Sequence, residues 1–249
     1  MDQTKQKYIY HYYDLSLAGI RLTYGFRFPE TIEYLKAFSL GPSDKHDGIY
    51  LPEYEWGLWE ADGSTADAYC EYSCLTAVTS DVLTAYQRCV IHAVAFRFQN
   101  KAYLIAAPSG VGKSTQIRTL QTLFPEQFSI ICGDRPILEF CQDGTIMVHP
   151  SPWNGKENWH GAAAAPLAGI ILLKRGDENE MRQLKSREAV VPVYGAMIQT
   201  METESLLHRF ADFSTKLIQY APVWQLINRG VPDSTRLLYD TLFSVEASK

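Results

Sequence analysis

Residues 104–115, "LIAAPSGVGKST", have the residue types and spacing of a phosphate-binding loop. Gly110 and Gly112 allow the backbone to wrap so that its N–H groups point inward, and these dipoles favour phosphate oxygens. Lys113 would reach the β- and γ-phosphates of a nucleotide, and the Ser114 hydroxyl would bind Mg²⁺. A short apolar run precedes the loop and a helical pattern follows it, which is the context that such a loop requires.

Ala107 stands where the first glycine of this pattern usually lies. The position serves a turn, and alanine costs little there unless φ must be positive. A solvated strand-to-helix turn is the alternative interpretation. The residues predicted to contact the phosphates are Pro108, Ser109, Gly110, Val111, Gly112, Lys113, Ser114 and Thr115.

A kinase built on such a loop also needs a carboxylate for the metal and a group that orients the acceptor hydroxyl. Asp134 follows the apolar run "FSIIC", 21 residues after Lys113. That gap fits one helix and one neighbouring strand, so Asp134 would return to the mouth of the loop. We predict that Asp134 is a metal ligand and a catalytic residue, and a turn aspartate is the alternative. Asp143 and Asp177 lie in turn sequences and are expected to be solvated.

The rest of the chain has the pattern of an α/β protein with several hairpins. The predicted elements are strands at 8–12 and 20–27, a helix at 29–38, a loop at 41–48, a helix at 80–88 capped by Ser80 or Asp81, a hairpin within 89–107, a helix at 114–124, a strand at 128–132, a hairpin of 135–140 with 145–150, a strand at 167–174, a helix that opens at the cap Ser186 and is interrupted at Pro192 and Gly195, a helix at 204–221, a strand at 223–228 and a capped helix at 233–243.

Charge and aromatic content divide the chain in two. Residues 1–90 contain 7 Lys+Arg, 13 Asp+Glu and 11 of the 15 tyrosines, whereas residues 91–249 contain 16 Lys+Arg and 15 Asp+Glu. We therefore predict an N-terminal region over 1–87 and a second region over 88–249. The acidic, aromatic N-terminal region would recognise an acceptor, or its aromatic side chains would simply pack a small sheet against the second region.

The bulk properties exclude several classes of protein. The net charge of −5 argues against a nucleic-acid binder, whose domains are usually basic. No apolar run approaches the roughly 18 residues of a membrane span, and the N-terminus has no signal-peptide core. The five cysteines have no framework spacing, so ordinary thiols are expected. These features favour a soluble cytoplasmic protein with no membrane or nucleic-acid partner.

Four segments together resemble the HPr-kinase-related proteins of the HPr serine kinase/phosphorylase superfamily: "LIAAPSGVGKST", "IICGDRPILEF", "PSPWNGKENWHGAAAAPLAGIILLKRG" and "SREAV". The resemblance covers about residues 88–245. It implies an α/β fold with a mixed sheet and a P-loop nucleotide-binding core like that of ATP-dependent phosphoenolpyruvate carboxykinase. The N-terminal residues would form a smaller α+β region beside it.

The resemblance also implies roles for residues outside the loop. His92, 15 residues before Ala107, matches a histidine near the transferred phosphate, although "VIHAV" alone is more typical of a core histidine. Asp134 matches the family's acidic position. Lys156 in "PWNGKE" would add a cation to the phosphates, or it would be a solvated side chain. Weaker candidates in the same loop and after the following strand are Glu157, His160 and Arg175.

Two positions depart from the family pattern. Relatives commonly carry two adjacent aspartates where this chain has Gly133-Asp134, so Asp134 would serve two tasks or the activity would change. HPr kinases follow Lys-Ser with Glu where Thr115 stands, so HPr itself is not the expected acceptor. The resulting hypothesis is an ATP- and Mg²⁺-dependent kinase acting on a serine of a peptide or small protein, such as a ribosomal peptide precursor. A nucleotide-binding regulatory module and a kinase of a small metabolite such as free serine are the alternatives.

Overall fold

The structure, a computed structural model, describes residues 10–51, 67–161 and 163–243. These ranges form thirteen strands and six α-helices. The strands are β1 (His11–Leu17), β2 (Ile20–Phe26), β3 (Ser39–Pro42), β4 (Arg88–Ile91), β5 (Ala93–Phe98), β6 (Lys101–Ala106), β7 (Phe128–Cys132), β8 (Ile137–Phe140), β9 (Ile146–His149), β10 (Ala165–Arg175), β11 (Glu180–Gln183), β12 (Met197–Ile198) and β13 (Val223–Asn228). The helices are α1 (Thr31–Leu35), α2 (Ala68–Leu83), α3 (Lys113–Leu123), α4 (Ser186–Ala196), α5 (Glu204–Tyr220) and α6 (Asp233–Leu242).

The larger of two sheets brings several chain ends to one edge. Strands β6, β10 and β13 are parallel neighbours, β5 is antiparallel to β6, and β7 is antiparallel to β5. The carboxyl ends of β6, β7, β10 and β13 therefore lie at the same edge as the amino end of β5. We call this edge, which carries Ala106, Cys132, Arg175, Asn228 and Ala93, the carboxyl edge. The predicted mixed α/β fold with a large mixed sheet is confirmed.

Four further strands extend this sheet beyond β10 in the order β9, β8, β4 and β12, with antiparallel pairing throughout, and β11 pairs antiparallel with β13. The predicted run 89–107 is therefore divided at His92. Its first part, β4, pairs with β8 and β12, and only β5 and β6 form the predicted hairpin.

The smaller sheet has the order β2-β1-β3, and its buried side chains pack in one cluster with those of α1 and α2. Its buried side chains Tyr24 and Phe26 lie in one hydrophobic cluster with Leu83, Val90 and Trp153, so the cluster contains residues from both sides of position 87. These aromatic side chains pack the small sheet against the larger region, as one of the two interpretations predicts. The domain boundary itself stays a prediction.

The helix predicted at 80–88 begins far earlier, at Ala68, where the Asp67 carboxylate accepts a hydrogen bond from Cys70 N at 2.8 Å. The predicted cap Ser80 instead lies inside α2 and accepts a bond from Val90 N at 2.9 Å, and Asp81 bonds Thr200. The sequence pattern does not indicate the first turns of α2, because the buried face of this helix is largely polar and lacks apolar periodicity. Its buried members are Glu71, Leu75, Thr76, Thr79, Ser80 and Leu83.

Four smaller corrections concern strand and helix bounds and the interior of one helix. Strand β1 runs from His11 to Leu17 rather than over the predicted range 8–12, and residues 8 and 9 lie outside the described ranges. Strand β3 extends into the predicted loop 41–48. Lys185, not Ser186, is the N-cap of α4. Pro192 and Gly195 lie within that helix without ending it, since its buried residues Ala189 and Val193 pack into the core beside α5.

Glu71 joins α2 to the small sheet. Its fully buried carboxylate accepts hydrogen bonds from Arg27 N at 2.8 Å, Phe28 N at 3.2 Å and Thr31 Oγ1 at 2.6 Å. The burial raises the pKa of Glu71, although these three donors oppose the shift.

Replacing Glu71 by alanine leaves three buried donors without their acceptor. We expect Glu71→Ala to lower the free energy of unfolding by roughly 3 kcal/mol. Urea unfolding is the measurement, and Glu33→Ala, at an exposed position on α1, should change stability by less than about 0.5 kcal/mol. Equal effects of the two variants would show that Glu71 does not join the elements.

The raised pKa of Glu71 also predicts a pH dependence. Between its ordinary value of 4.5 and its higher folded value, this carboxyl takes up a proton on folding. The stability of the wild type relative to Glu71→Gln should therefore fall as pH rises through that interval. Urea unfolding of both proteins across it tests the sign, and a stability difference that grows with pH would contradict the assignment.

Candidate active site at the carboxyl edge

The predicted phosphate-binding loop lies at the carboxyl edge, between β6 and α3. Gly110 and Gly112 have φ of +79° and +117°, in the left-handed region that favours glycine. Gly112 is the N-cap of α3, so the amino end of that helix faces the loop. Ala107 has no positive φ, which explains why alanine is accepted there. The strand–loop–helix context predicted from the sequence is confirmed.

Lys113 is held inside this loop. Its Nζ donates to Ala107 O at 2.7 Å and lies 3.2 Å from His92 Nε2. The residue is only 8% exposed, and this burial lowers the pKa of Lys113 although the nearby Asp134 opposes the shift. Arg175, at the end of β10, donates from Nη2 to Gly110 O at 2.6 Å and so supports the loop from outside.

His92 and Asp134 meet because β5 and β7 are neighbours. Ala93 N donates to Asp134 O at 2.8 Å, and His92 N donates to Ala196 O at 2.7 Å. These bonds bring His92 Nε2 to 3.3 Å from Asp134 Oδ1. The structure thus brings together three of the four predicted catalytic residues: His92, Lys113 and Asp134.

The electrostatics of this group keep Asp134 ionised. Burial alone would raise the pKa of Asp134, but the hydrogen bond and charge of His92, with the charges of Arg135 and Lys113, lower it below the ordinary value. The other carboxylate oxygen, Oδ2, lies 3.3 Å from Arg135 Nε. His92 Nε2 can accept from Lys113 or donate to Asp134, but a single nitrogen cannot do both at once.

Gly133, where the family resemblance predicts a carboxylate, lies directly beneath the loop 152–155. A Cβ atom at Gly133 would lie 2.5 Å from Asn154 O, which is too close for any side chain. Gly155, with φ of +68°, approaches Asp134 in the same way, since a Cβ there would lie 2.9 Å from Asp134 Cβ. Glycine at 133 is therefore required by the close approach of this loop.

The fourth predicted catalytic residue, Lys156, is exposed in the same loop, and the described residues show no contact between it and His92, Lys113 or Asp134. Glu157 instead forms an ion pair with Arg118 of α3. His160 bonds Asn154 Nδ2 at 2.9 Å and Asn158 Oδ1 at 2.7 Å, so it stabilises the loop.

Ser114 and Thr115 occupy the first turn of α3, as the loop pattern requires, with Ser114 half-buried and Thr115 exposed. Pro108 and Ser109 are exposed in the loop, and Val111 is half-buried. Whether Ser114 and Asp134 hold a metal together stays a prediction. Within the described residues, no group of three or more His, Cys, Asp and Glu side chains forms a metal site of its own.

Sequence reasoning missed two residues that build the site. Arg135 donates from Nη1 to Ser73 O at 3.1 Å and to Thr76 Oγ1 at 2.8 Å, which connects the site to α2. Gln116, buried in α3, bonds Ser234 Oγ and Thr235 Oγ1, each at 2.7 Å, and fixes α3 against α6. Adjacency to Asp134 was the only sequence signal for Arg135, and Gln116 had none.

Two cavities meet at His92. One, of about 720 Å³, has mostly apolar walls from β10 and α4 and is bordered by the loop residues Ala107, Pro108 and Val111. The other, of about 390 Å³, lies between α2 and the larger sheet and is bordered by Arg135. We call them the loop cavity and the α2 cavity.

Comparisons with known proteins add little to this geometry. No protein-family model and no curated protein matches the chain. Among solved structures, the HPr(Ser) kinase/phosphatase from Coxiella burnetii is similar at 12% sequence identity with a TM-score of 0.36, over 64% of this chain and 96% of that one. A likeness of this size assigns neither family nor function, so the family resemblance stays a prediction.

Two further observations concern the predicted class of protein. The described part of the chain contains no helix that is both long and apolar enough to span a membrane. None of the five cysteines, all of which lie in the described ranges, forms a disulfide bond, as expected from their spacing.

The close approach at Gly133 predicts that even one added methyl group disturbs the site. Gly133→Ala should displace the loop 152–155 and lower the melting temperature by several degrees, because the new Cβ meets backbone oxygen rather than a flexible side chain. Calorimetry is the measurement. Gly230→Ala is the matched control, since its Cβ would meet nothing within 4 Å. An unchanged melting temperature for Gly133→Ala would show that the loop is not packed against this position.

Proposed function

We propose that this protein is an ATP-dependent kinase that transfers the γ-phosphoryl group to a hydroxyl, namely that of a serine in a peptide or small protein. The observation that carries the proposal is the meeting of Lys113, His92 and Asp134 at the mouth of a glycine loop with left-handed glycines. A glycine turn without a phosphate ligand would not need a buried lysine directed back into the loop.

The loop fits the phosphates of a nucleotide. Gly110 and Gly112 leave space that a side chain would fill, and the amino end of the eleven-residue helix α3 adds a positive dipole end. Lys113 supplies a buried positive charge at the same place. We infer that Lys113 and the loop N–H groups bind the β- and γ-phosphates.

The oxygen donors also fit Mg²⁺, which prefers one or two carboxylates together with phosphate oxygens and water. Asp134 is ionised, and each of its oxygens has one described partner, which leaves lone pairs for a cation. Ser114 and Asp134 would hold the ion, and the ion would neutralise charge on the phosphates when bound.

Lys113, His92 and Asp134 have different roles in the transfer. Lys113 stabilises the charge that develops on the transferring phosphoryl group. When a bound phosphate attracts Lys113 away from His92, the Nε2 atom of His92 can carry a proton and donate a hydrogen bond to Asp134. Asp134 orients the acceptor hydroxyl, and its lowered pKa suits a charged orienting group better than a strong base.

The direct test is phosphoryl transfer from labelled ATP in the presence of Mg²⁺ to a panel of serine peptides and to free serine. Lys113→Met should lower the transfer rate at least a hundredfold, because it removes the buried cation at the phosphates. Lys101→Met, at the opposite end of β6, is the matched control and should keep the wild-type rate. Equal rates for both variants would exclude the loop as the site.

A variant of Asp134 distinguishes phosphoryl transfer from ATP binding. We expect Asp134→Asn to lower the rate of transfer about a hundredfold or more, because the amide carries no charge toward the acceptor or the metal. Binding of a fluorescent ATP analogue should persist, since Lys113 and the loop remain. Asp143→Asn, in an exposed turn where the side chain accepts from Thr145 N, should leave both readouts unchanged.

A nucleotide-binding regulatory module remains a second candidate, favoured by the glycine that replaces one carboxylate at position 133. It predicts that wild-type protein binds ATP with no transfer to any acceptor. Detectable transfer that is lost in Asp134→Asn would rule out this candidate.

A further inference from the structure

The α2 cavity shares its innermost residues with the reaction site. His92 and Arg135 border it, and both contact Asp134, through Nε2 at 3.3 Å and Nε at 3.3 Å respectively. No residue that lines the α2 cavity belongs to the phosphate-binding loop, whereas the loop residues Ala107, Pro108 and Val111 border the loop cavity. The two cavities share His92, Gly195 and Ala196, and only one of them is bordered by loop residues.

The outer wall of this cavity comes from the N-terminal half of the chain. Ser73, Thr76 and Ala77 of α2 line it opposite the end of α4. The wall is held in place by hydrogen bonds: Thr76 Oγ1 donates to Ser73 O at 2.8 Å, and Arg135 Nη1 donates to both residues. A fixed wall that ends in a guanidinium beside Asp134 is suited to positioning a small polar group.

The helix wall is also tied to the loop that covers Asp134. Tyr72 OH donates to Pro152 O at 3.0 Å, and Trp153 Nε1 donates to Tyr72 O at 2.8 Å. Trp153 is buried, and its ring stacks on Tyr72 at 6.4 Å. The position of α2 relative to Asp134 is thus fixed from two sides.

Size limits what the cavity accepts. Its volume of about 390 Å³ is near the lower end of the range for small-molecule sites, roughly 300–1,000 Å³. The room comes from small residues such as Ser73, Ala77, Gly195 and Ala196. One side chain with its adjoining backbone fits such a space, and a folded protein surface does not.

We propose that the α2 cavity is the acceptor site, and that it takes a seryl hydroxyl presented by an extended peptide segment or by free serine. This proposal rests on the kinase function proposed above. The hydroxyl would enter beside Arg135 and His92 and reach Asp134, while ATP would be held from the loop side. In the transfer, the seryl oxygen forms a bond to the γ-phosphorus, the bond from that phosphorus to the ADP oxygen breaks, and the seryl proton passes to solvent by way of the His92–Asp134 pair.

Filling the cavity tests the proposal. Ala77→Leu preserves helix propensity and adds bulk to the wall, so the KM for N-acetylserine N-methylamide or for L-serine should rise at least tenfold, with a much smaller change in the KM for ATP. The two probes distinguish a peptide-like source of the hydroxyl from the free amino acid. Ala68→Leu makes the same change at the start of α2, away from the cavity, and should alter neither KM. Unchanged acceptor KM in Ala77→Leu, or an equal rise for ATP, would overturn the proposal.

A second measurement does not depend on turnover. Cys74 lines the α2 cavity, whereas Cys141 borders a different one. Either serine probe at millimolar concentration should slow alkylation of Cys74 by iodoacetamide several-fold and leave Cys141 unaffected. Transfer activity without protection of Cys74 would overturn the acceptor site alone. Absence of transfer to every acceptor in the wild type would overturn the kinase function, and protection of Cys74 would then still show that the cavity binds serine.

Discussion

The Nε2 atom of His92 lies 3.2 Å from Lys113 Nζ and 3.3 Å from Asp134 Oδ1. These two contacts depend on the order of the strands. Lys113 follows β6, His92 precedes β5 and Asp134 follows β7. Because β5 lies between β6 and β7 and is antiparallel to both, these three ends lie next to one another at one edge. The site is therefore a direct consequence of the sheet topology.

The loop 152–155 exerts the second constraint, because it packs so closely on residues 133–134 that two glycines are needed. Gly133 admits Asn154 O, and Gly155 admits the Cβ of Asp134. The chain thus has one carboxylate where the sequence resemblance predicted two, and a side chain at position 133 is sterically excluded in this arrangement. Asp134 gains its charge stabilisation from His92, Arg135 and Lys113 instead.

The sequence predicted what depends on local pattern. The glycine loop between β6 and α3, the hairpin of β5 and β6 and the helix α5 could be predicted because glycine spacing, strand alternation and amphipathic periodicity are short-range signals. Helix α2 was recognised only at its end because its buried face carries Glu71 and three hydroxyl residues. The contact of Arg135 with Thr76 spans 59 residues, and no spacing rule predicts a partner so far along the chain.

If the glycine loop binds a nucleotide, its phosphates lie between this loop and Asp134. A crystal structure with Mg²⁺ and a non-hydrolysable ATP analogue tests it most directly. We predict that Lys113 Nζ contacts the γ-phosphate, that Ser114 and Asp134 face the metal, and that Lys113 has left His92 Nε2. A triphosphate bound elsewhere, with the loop N–H groups making no contact to it, would contradict the account.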